Sequence, residues 1–227
     1  MWVRRSTFRN PWERTTTNAI VQLGLALVLI APATQPIFGG LFWEVTGKWH
    51  LDDMLGHMLA LGAMVSTNLA GLLRMPNMRR HVVPLLWCPL VAGTAVLMQL
   101  FCHSAVTRNP GHDLFQLQPD WWLTAYYLLL GALIAYYGIL NAWTALAHLR
   151  GDPRARPVAL AWLACAAITT VAAAALLISM LRTTAWYDYG RLAMCATVTV
   201  YAVASARSWQ RKLDQWRKLI TVTGARI

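Results

Sequence analysis

The chain has 227 residues, of which 57% are hydrophobic and only 13% are charged, whereas a soluble domain usually carries about a quarter of charged residues. This composition excludes an ordinary water-soluble domain. The net charge of +11 could indicate nucleic-acid binding, but the basic residues lie at the ends of apolar blocks, where membrane topology and anionic lipid headgroups explain them better.

Six apolar segments follow one another along the chain, and polar stretches with Gly, Pro and Asn separate them. Most are close to the ~20 residues that a helix needs to cross a hydrocarbon core. The sequence therefore predicts an all-α fold, a polytopic transmembrane bundle of about six helices followed by an amphipathic C-terminal interfacial helix. The predicted spans are 18–38, 52–73, 83–102, 121–148, 157–181 and 185–206, so that 1–206 is one transmembrane domain and 207–227 a basic cytoplasmic tail.

The first segment follows an arginine-rich start and contains Ala31-Pro32-Ala33, which resembles the cleavage site of a signal peptide. The apolar run continues through Phe38, which favours an uncleaved first helix, and cleavage stays open as the alternative. The prolines in this segment are expected to bend the helix, and Pro84 and Pro89 to bend the third.

Histidines and carboxylates gather where the second segment begins. His50, Asp53 and His57 are spaced by three and four residues, which places them on one helical face. Neutral imidazoles with a carboxylate can bind zinc or another transition metal, and such groups can also relay protons. A structural alternative is that the carboxylates cap the helix and His57 pairs with Asp53. Haem binding would need His57 and His103 as axial ligands, without any CxxCH attachment motif.

Polar residues also occur within and beside the later spans. Uncharged side chains at mid-span more often join helices than line a pathway, so a packing role is predicted for Gln35, Asn68, Gln99 and Asn141. Asp120 precedes the fourth segment and is expected to cap that helix. The fourth segment exceeds the thickness of the hydrocarbon core, so it must tilt or protrude.

Asp188 and Arg191 form a second candidate site near the outer end of the sixth segment. Their spacing of three suits a salt bridge on one helical face. Ionisable groups at membrane depth are costly and often functional. The alternatives are a structural ion pair, with Arg191 reaching outward, and a contact to an anion or a substrate.

The tail after the sixth segment has the pattern of an amphipathic helix. Its apolar residues recur at spacings of four, three and four, which places them on one face, while basic residues lie elsewhere around the helix. The pattern predicts a helix in the inner headgroup plane, and a solvated basic tail is the alternative. The predicted lipid contacts are Trp209, Arg211, Lys212, Trp216, Arg217 and Lys218.

Basic residues alternate between the two sides of the predicted membrane. Most of the 20 lysines and arginines fall in the N-terminal segment, the second and fourth loops and the tail, while the other loops hold most acids. Lys and Arg are retained on the cytoplasmic side, so both termini are predicted to be cytoplasmic. The predicted location is a bacterial cytoplasmic (inner) membrane. The cytoplasmic loops are marked by Arg74, Arg79, Arg80, Arg150, Arg154 and Arg156.

No catalytic or cofactor motif occurs in the chain. G-x-S-x-G, H-E-x-x-H and a Walker lysine are missing, and the four cysteines form no CxxC pair. The sequence therefore predicts no cofactor and favours a non-enzymatic membrane partner or regulatory subunit of a larger assembly. The alternatives are a small-molecule transporter or transporter subunit, and a metal- or haem-binding membrane redox protein. The expected partners are the bilayer, its anionic inner-leaflet lipids and other membrane subunits, without nucleic acid.

The layout resembles a group of uncharacterised multi-pass membrane proteins of actinobacteria that are described as candidate transporters. The resemblance covers the first long helix, the His57-bearing stretch 51–73, the basic turn 150–156 before an alanine-rich helix, and the tail from Trp209. It implies a multi-pass membrane protein and carries no firm activity. Members of that group often continue into a soluble C-terminal domain, which is expected to be absent here because the sequence stops at Ile227.

Overall fold

The chain is α-helical throughout the part that the structure describes. The computed structural model covers residues 11–75, 77–110, 114, 117–151, 156–181 and 186–223, with the backbone alone for 11–13, 175–176, 179–181, 186–191, 212 and 215–223. These residues contain no strand, which confirms the all-α prediction for them. The helices are α1 (Pro11–Ile30), α2 (Gln35–Thr46), α3 (Leu51–Leu72), α4 (Cys88–His103), α5 (Trp121–Gly151), α6 (Arg156–Leu181) and α7 (Trp186–Thr223).

Four helical stretches are long and apolar enough to cross a membrane. They match four of the predicted spans and are Leu51–Leu72, Arg79–His103, Trp121–Gly151 and Arg156–Ala174. The first predicted span corresponds to Arg14–Ile30 and Gln35–Thr46, which qualify together as a pair bent by 86°. Of the last predicted span, 185–206, the described residues 186–206 lie within α7 and are helical, but they are not among the candidate spans of the described residues.

Prolines divide the first predicted helix into two. Pro32 has no N–H to donate to the carbonyl of Val28, one turn earlier, so the helical ladder ends there. In place of the missing Pro32 N–H, the Thr34 hydroxyl donates to the Val28 carbonyl, and it also donates to the Ala31 carbonyl. Pro36 then stands in the first turn of α2, where a missing N–H costs nothing. A single bent helix over 18–38 is thus replaced by two separate helices.

Five helices form a closed ring. Around it, α1 packs on α3, α3 on α5, α5 on α6, α6 on α7, and α7 packs back on α1. The amide of Asn18 donates to Ser66, while Ile30 lies over Gly56, so α1 runs antiparallel to α3. Helix α4 lies outside the ring and packs mainly on α5.

An irregular turn leads into α4, and side chains of α5 donate hydrogen bonds to it. A 3₁₀ turn and a π-helical turn, Val83–Trp87, precede it, and Pro89 has no N–H for the carbonyls of that preceding turn. Two neighbouring tyrosines of α5 supply donors instead. The Tyr136 hydroxyl donates to the Leu85 carbonyl and the Tyr137 hydroxyl to the Leu86 carbonyl, each at 2.9 Å.

The loops separate to two ends of the bundle in the way that the charge pattern predicts. At one end, His148 Nε2 lies 3.1 Å from the Gly71 carbonyl, and the guanidinium of Arg74 lies 5.7 Å from the ring centre of Trp162. The second and fourth loops, both basic, therefore share one end. At the opposite end, the Trp49 N–H donates to the Thr107 carbonyl at 2.9 Å.

Large apolar side chains cover the outside of the bundle. Ile37, Val45, Trp121 and Ile139 are 69–77% exposed. Exposed apolar surface of this extent indicates an apolar surrounding or a partner rather than water. The outer faces of the helices are therefore suited to contact lipid.

The carboxylate of Asp120 fixes the connection between α4 and α5. It accepts hydrogen bonds from the Leu123 N–H at 2.8 Å, from the Ser104 hydroxyl and from the Ala105 N–H at 3.0 Å. The predicted cap of α5 is thereby confirmed. Burial raises the pKa of Asp120, but these hydrogen bonds, which favour the charged form, outweigh it and hold the pKa below its usual value.

Replacing Asp120 with asparagine should destabilise the protein at neutral pH by about 1–2 kcal/mol, because the amide can still cap the helix through one oxygen but loses the charge and the second acceptor that strengthen these hydrogen bonds. Because the native pKa is depressed, the stabilisation is present above the unfolded-state pKa and is lost as pH falls through the native one. The difference in Tm between wild type and Asp120→Asn should therefore be constant from about pH 5 to 8 and shrink below about pH 4. Glu44→Gln, at an exposed carboxylate of α2, is the control; a difference that persists in acid would contradict the assignment.

Candidate functional site

The predicted residues at the start of α3 lie in a buried polar cluster that α2 closes. His50 Nδ1 lies 3.3 Å from Asp53 Oδ2. The Gln35 amide nitrogen donates to the same oxygen at 3.3 Å and lies 2.9 Å from His50 Nδ1. All three side chains are almost fully buried. The predicted joining role of Gln35 is confirmed, since it ties α2 to α3.

His57 lies deeper in the same helix and meets α5. Its Nδ1 lies 2.9 Å from the Tyr126 hydroxyl, and both side chains are buried. No three His, Cys, Asp or Glu side chains in the described residues come together in a way that could hold a metal ion. Metal binding by His50, Asp53 and His57 stays a prediction, which this arrangement of side chains does not support by itself. The other histidine of the haem alternative, His103, is exposed, with its Nδ1 2.8 Å from the Gln99 carbonyl.

Lys48 ties the end of α4 to the start of α3. Its ammonium donates to the Cys102 and Ser104 carbonyls, at 2.8 and 3.3 Å, and to the Thr107 hydroxyl at 2.9 Å. Burial, and then the charge of Arg108, lower the pKa of Lys48. These contacts cap the C-terminal carbonyls of α4 and close this end of the bundle, so their role is structural.

The ring of five helices encloses a cavity at the middle of their length. Its volume is about 90 Å³, whereas a single water needs about 10–15 Å³, so it has room for several waters or one small organic molecule. Each of the five ring helices contributes side chains, and none of the lining residues is charged. Representative lining residues are Leu23 of α1, Met64 of α3, Ile134 of α5, Ala166 of α6 and Met194 of α7.

Two asparagines that line this cavity have buried carbonyl oxygens without a hydrogen-bond partner in the described part of the chain. The Asn68 amide donates to the Tyr137 carbonyl at 3.1 Å, and the Asn141 amide to the Trp162 carbonyl at 3.4 Å. Both side chains line the cavity and are only 1% and 8% exposed. Neither Oδ1 has a hydrogen-bond partner among the residues that the structure describes. An unpaired buried acceptor is costly, so the cavity suits a hydrogen-bond donor.

Threonines of the lining add no free donor to the cavity. The hydroxyls of Thr67, Thr169 and Thr197 donate to carbonyls of their own helices, four residues earlier, at 2.7–2.9 Å. The remaining surface is mainly apolar. A neutral molecule with an apolar body and one or two N–H or O–H groups fits this arrangement best, because a charged group at such depth would be expensive.

The packing role predicted for the asparagines is confirmed, since Asn68 joins α3 to α5 and Asn141 joins α5 to α6. What the sequence did not indicate is that both asparagines line one cavity. A sequence signal existed only in part: two amides stood in otherwise apolar spans. Whether the two amides meet at one cavity depends on how the helices pack, which the sequence of each span does not show.

The remaining predicted sites lie on α7. The side chains of Asp188 and Arg191 are outside the described residues, and so are those of Lys212, Trp216, Arg217 and Lys218, so these sites stay predictions. Helix formation in the tail is confirmed as far as Thr223. At about 1.5 Å per residue, the 38 residues of α7 exceed the hydrocarbon core, and the helix is continuous with the tail. Placement of the tail along the membrane surface stays a prediction.

No family model, curated protein or solved structure matches this chain. A helical bundle hosts many activities, so the function of the chain depends on the geometry of its sites.

Proposed function

We propose that the chain is a six-span protein of a bacterial cytoplasmic membrane, with both termini in the cytoplasm. The α1–α2 pair and α7 supply the two spans beyond the four long apolar helices. The apolar outer surface supports this placement, and so does the shared end of the two arginine-bearing loops. Positive loops stay on the side where the protein is made.

We further propose that the protein binds a small neutral molecule within the bilayer and acts as a transporter or transporter subunit. The observation that carries this is the cavity at mid-depth, which is lined by Asn68 and Asn141, whose buried carbonyl oxygens have no hydrogen-bond partner among the described residues. Lipid offers no hydrogen bonds to such atoms, so a ligand that donates to them gains more than it would in water. Binding sites of many transporters lie at the same depth, between helices.

The second candidate function is that of a partner subunit, and the low burial of α4 favours it. Only 22% of the apolar stretch that contains it is buried, compared with 61% for α3. Its exposed face contacts lipid or a helix of another protein. The two candidates make different predictions, because a partner role requires no occupant of the cavity.

Phenol tests the cavity, because it combines a small apolar body with one hydroxyl donor, and toluene is its counterpart without the donor. Phenol should raise the Tm of the purified protein more than toluene does. Ala166→Leu should weaken phenol binding at least tenfold, about 1.4 kcal/mol, because the added carbons occupy the cavity that Ala166 lines.

Ala164→Leu is the matched control. It adds the same group two residues away on an exposed part of α6 and should leave phenol binding unchanged. If phenol and toluene raise the Tm equally, the asparagines do not contribute a hydrogen bond to the bound molecule. An unchanged phenol response in Ala166→Leu would show that phenol acts elsewhere.

A further inference from the structure

A concave basic surface lies where α3 ends and the approach to α4 begins. The cleft has a volume of about 560 Å³, within the roughly 300–1,000 Å³ of typical ligand pockets. Among the described residues no acidic side chain lines it; the lining residues are Leu73, Arg74, Met75, Asn77, Arg79 and Arg80.

The described residues on both sides of the turn, 72–75 and 77–81, are held by backbone hydrogen bonds. Asn77 has a φ of +61°, a left-handed conformation that asparagine tolerates better than most residues. Backbone hydrogen bonds run from the Met75 N–H to the Leu72 carbonyl and from the His81 N–H to the Met78 carbonyl, both at 3.0 Å. These bonds fix the direction of the chain on both sides of the turn.

Arg74 and Arg80 have contacts that orient them. The guanidinium of Arg74 lies over the ring of Trp162, at 5.7 Å from its centre, and Arg80 Nε donates to His81 Nε2 at 3.1 Å. Neither contact neutralises the positive charge. Arg79 and Arg80 are both exposed and line the same concave surface.

Phosphate is the ligand class that fits this cleft. A guanidinium presents a planar set of donors that binds phosphate through two parallel hydrogen bonds. Three such groups around one concavity, without a carboxylate in its lining, favour an anion of one or two charges. We propose that the cleft holds the phosphate of an anionic phospholipid of the inner leaflet.

The surroundings favour a lipid over a free phosphate. Leu73 and Met75 supply apolar surface within the cleft, and the chain leads from Arg80 into exposed apolar side chains on successive turns, at Val83, Trp87 and Val91. A headgroup in the cleft could thus continue into acyl chains along α4. Basic pockets of this kind at the cytoplasmic side of membrane helices recognise anionic headgroups. The inference depends on the proposed membrane placement and not on the central cavity.

Lipid retention by the full chain tests the proposal. The protein is purified in detergent, supplied with equal amounts of phosphatidylglycerol and phosphatidylcholine, and the bound lipids are counted by native mass spectrometry. Wild type should retain phosphatidylglycerol at least tenfold in excess. Arg79→Gln with Arg80→Gln should lose most of that preference, and Arg80→Gln alone, at an exposed position, should reduce it in a protein that still folds.

Arg150→Gln with Arg156→Gln is the control, since it removes the same charge from exposed positions on the other loop of the same end. It should retain the preference. Equal losses of the lipid preference in both double variants would show that the preference depends on overall charge, and would contradict binding in the cleft. Displacement of the lipid by millimolar inorganic phosphate would identify a phosphate site without lipid specificity, and equal retention of both lipids by wild type would also overturn the proposal. The phenol response does not depend on these arginines, so the two tests fail independently.

Discussion

Replacing Gly56 with leucine is expected to prevent α1 from closing on α3 and to abolish most of the folded, monodisperse protein. A Cβ at this position would lie 2.5 and 2.9 Å from side-chain carbons of Ile30 and 3.2 Å from the Ala26 carbonyl oxygen. The Ile30 side chain can rotate, but the backbone oxygen cannot retreat without moving α1. Inserting a single methyl into such packing costs about 1–3 kcal/mol, and leucine adds three more carbons.

Graded variants measure this effect. Gly56→Ala should lower the Tm by several degrees while the protein still elutes as one species, and Gly56→Leu should shift most protein into aggregates on size exclusion. Gly24→Leu is the matched control, because a Cβ at Gly24 meets nothing within 4 Å and the change improves helix propensity by up to about 1 kcal/mol. If Gly56→Leu behaves as Gly24→Leu does, the close contact between α1 and α3 is wrong.

Most helix positions could be predicted from hydrophobic length alone. Segments 52–73 and 121–148 correspond closely to Leu51–Leu72 and Trp121–Gly151, because a span must supply about 20 apolar residues whatever its neighbours are. The break after Ile30 could not be predicted in this way. A proline can bend a helix or end it, and the outcome depends on whether a group such as the Thr34 hydroxyl receives the freed carbonyls.

Contacts within one helix could be predicted for the candidate sites, whereas contacts between helices could not. Spacing along one helix placed His50 and Asp53 together correctly, because residues three apart share a face. The same rule grouped His57 with them, which stays a prediction, but it did not indicate that His57 Nδ1 lies 2.9 Å from the Tyr126 hydroxyl of another helix. Partners across helices depend on rotation and depth, which the sequence of one helix does not contain. The central cavity depends on five helices at once and was therefore not predicted.

Tyr137→Phe is expected to destabilise the protein by about 1–2 kcal/mol. Phenylalanine keeps the ring in its buried place but removes the hydroxyl that donates to the Leu86 carbonyl at 2.9 Å. Leu86 is fully buried, so water has no ready access to the freed carbonyl. Unfolding in mixed micelles with rising SDS would measure the loss as a lower midpoint with an unchanged slope.

Tyr136→Phe is the matched control within the same sequence pair. Its hydroxyl donates at the same distance to the neighbouring Leu85 carbonyl, but the Tyr136 side chain is exposed, so other donors can reach the freed carbonyl more easily. Its effect should be less than half that of Tyr137→Phe. Because Tyr136 donates to the carbonyl that Pro89, four residues later, leaves without an N–H, and Tyr137 donates to the next carbonyl, the double variant should also loosen α4 from the ring and speed proteolysis between residues 79 and 87. Equal effects of the two single variants would show that burial of the carbonyl, and with it the support of the π-helical turn by α5, does not determine the stability of this junction.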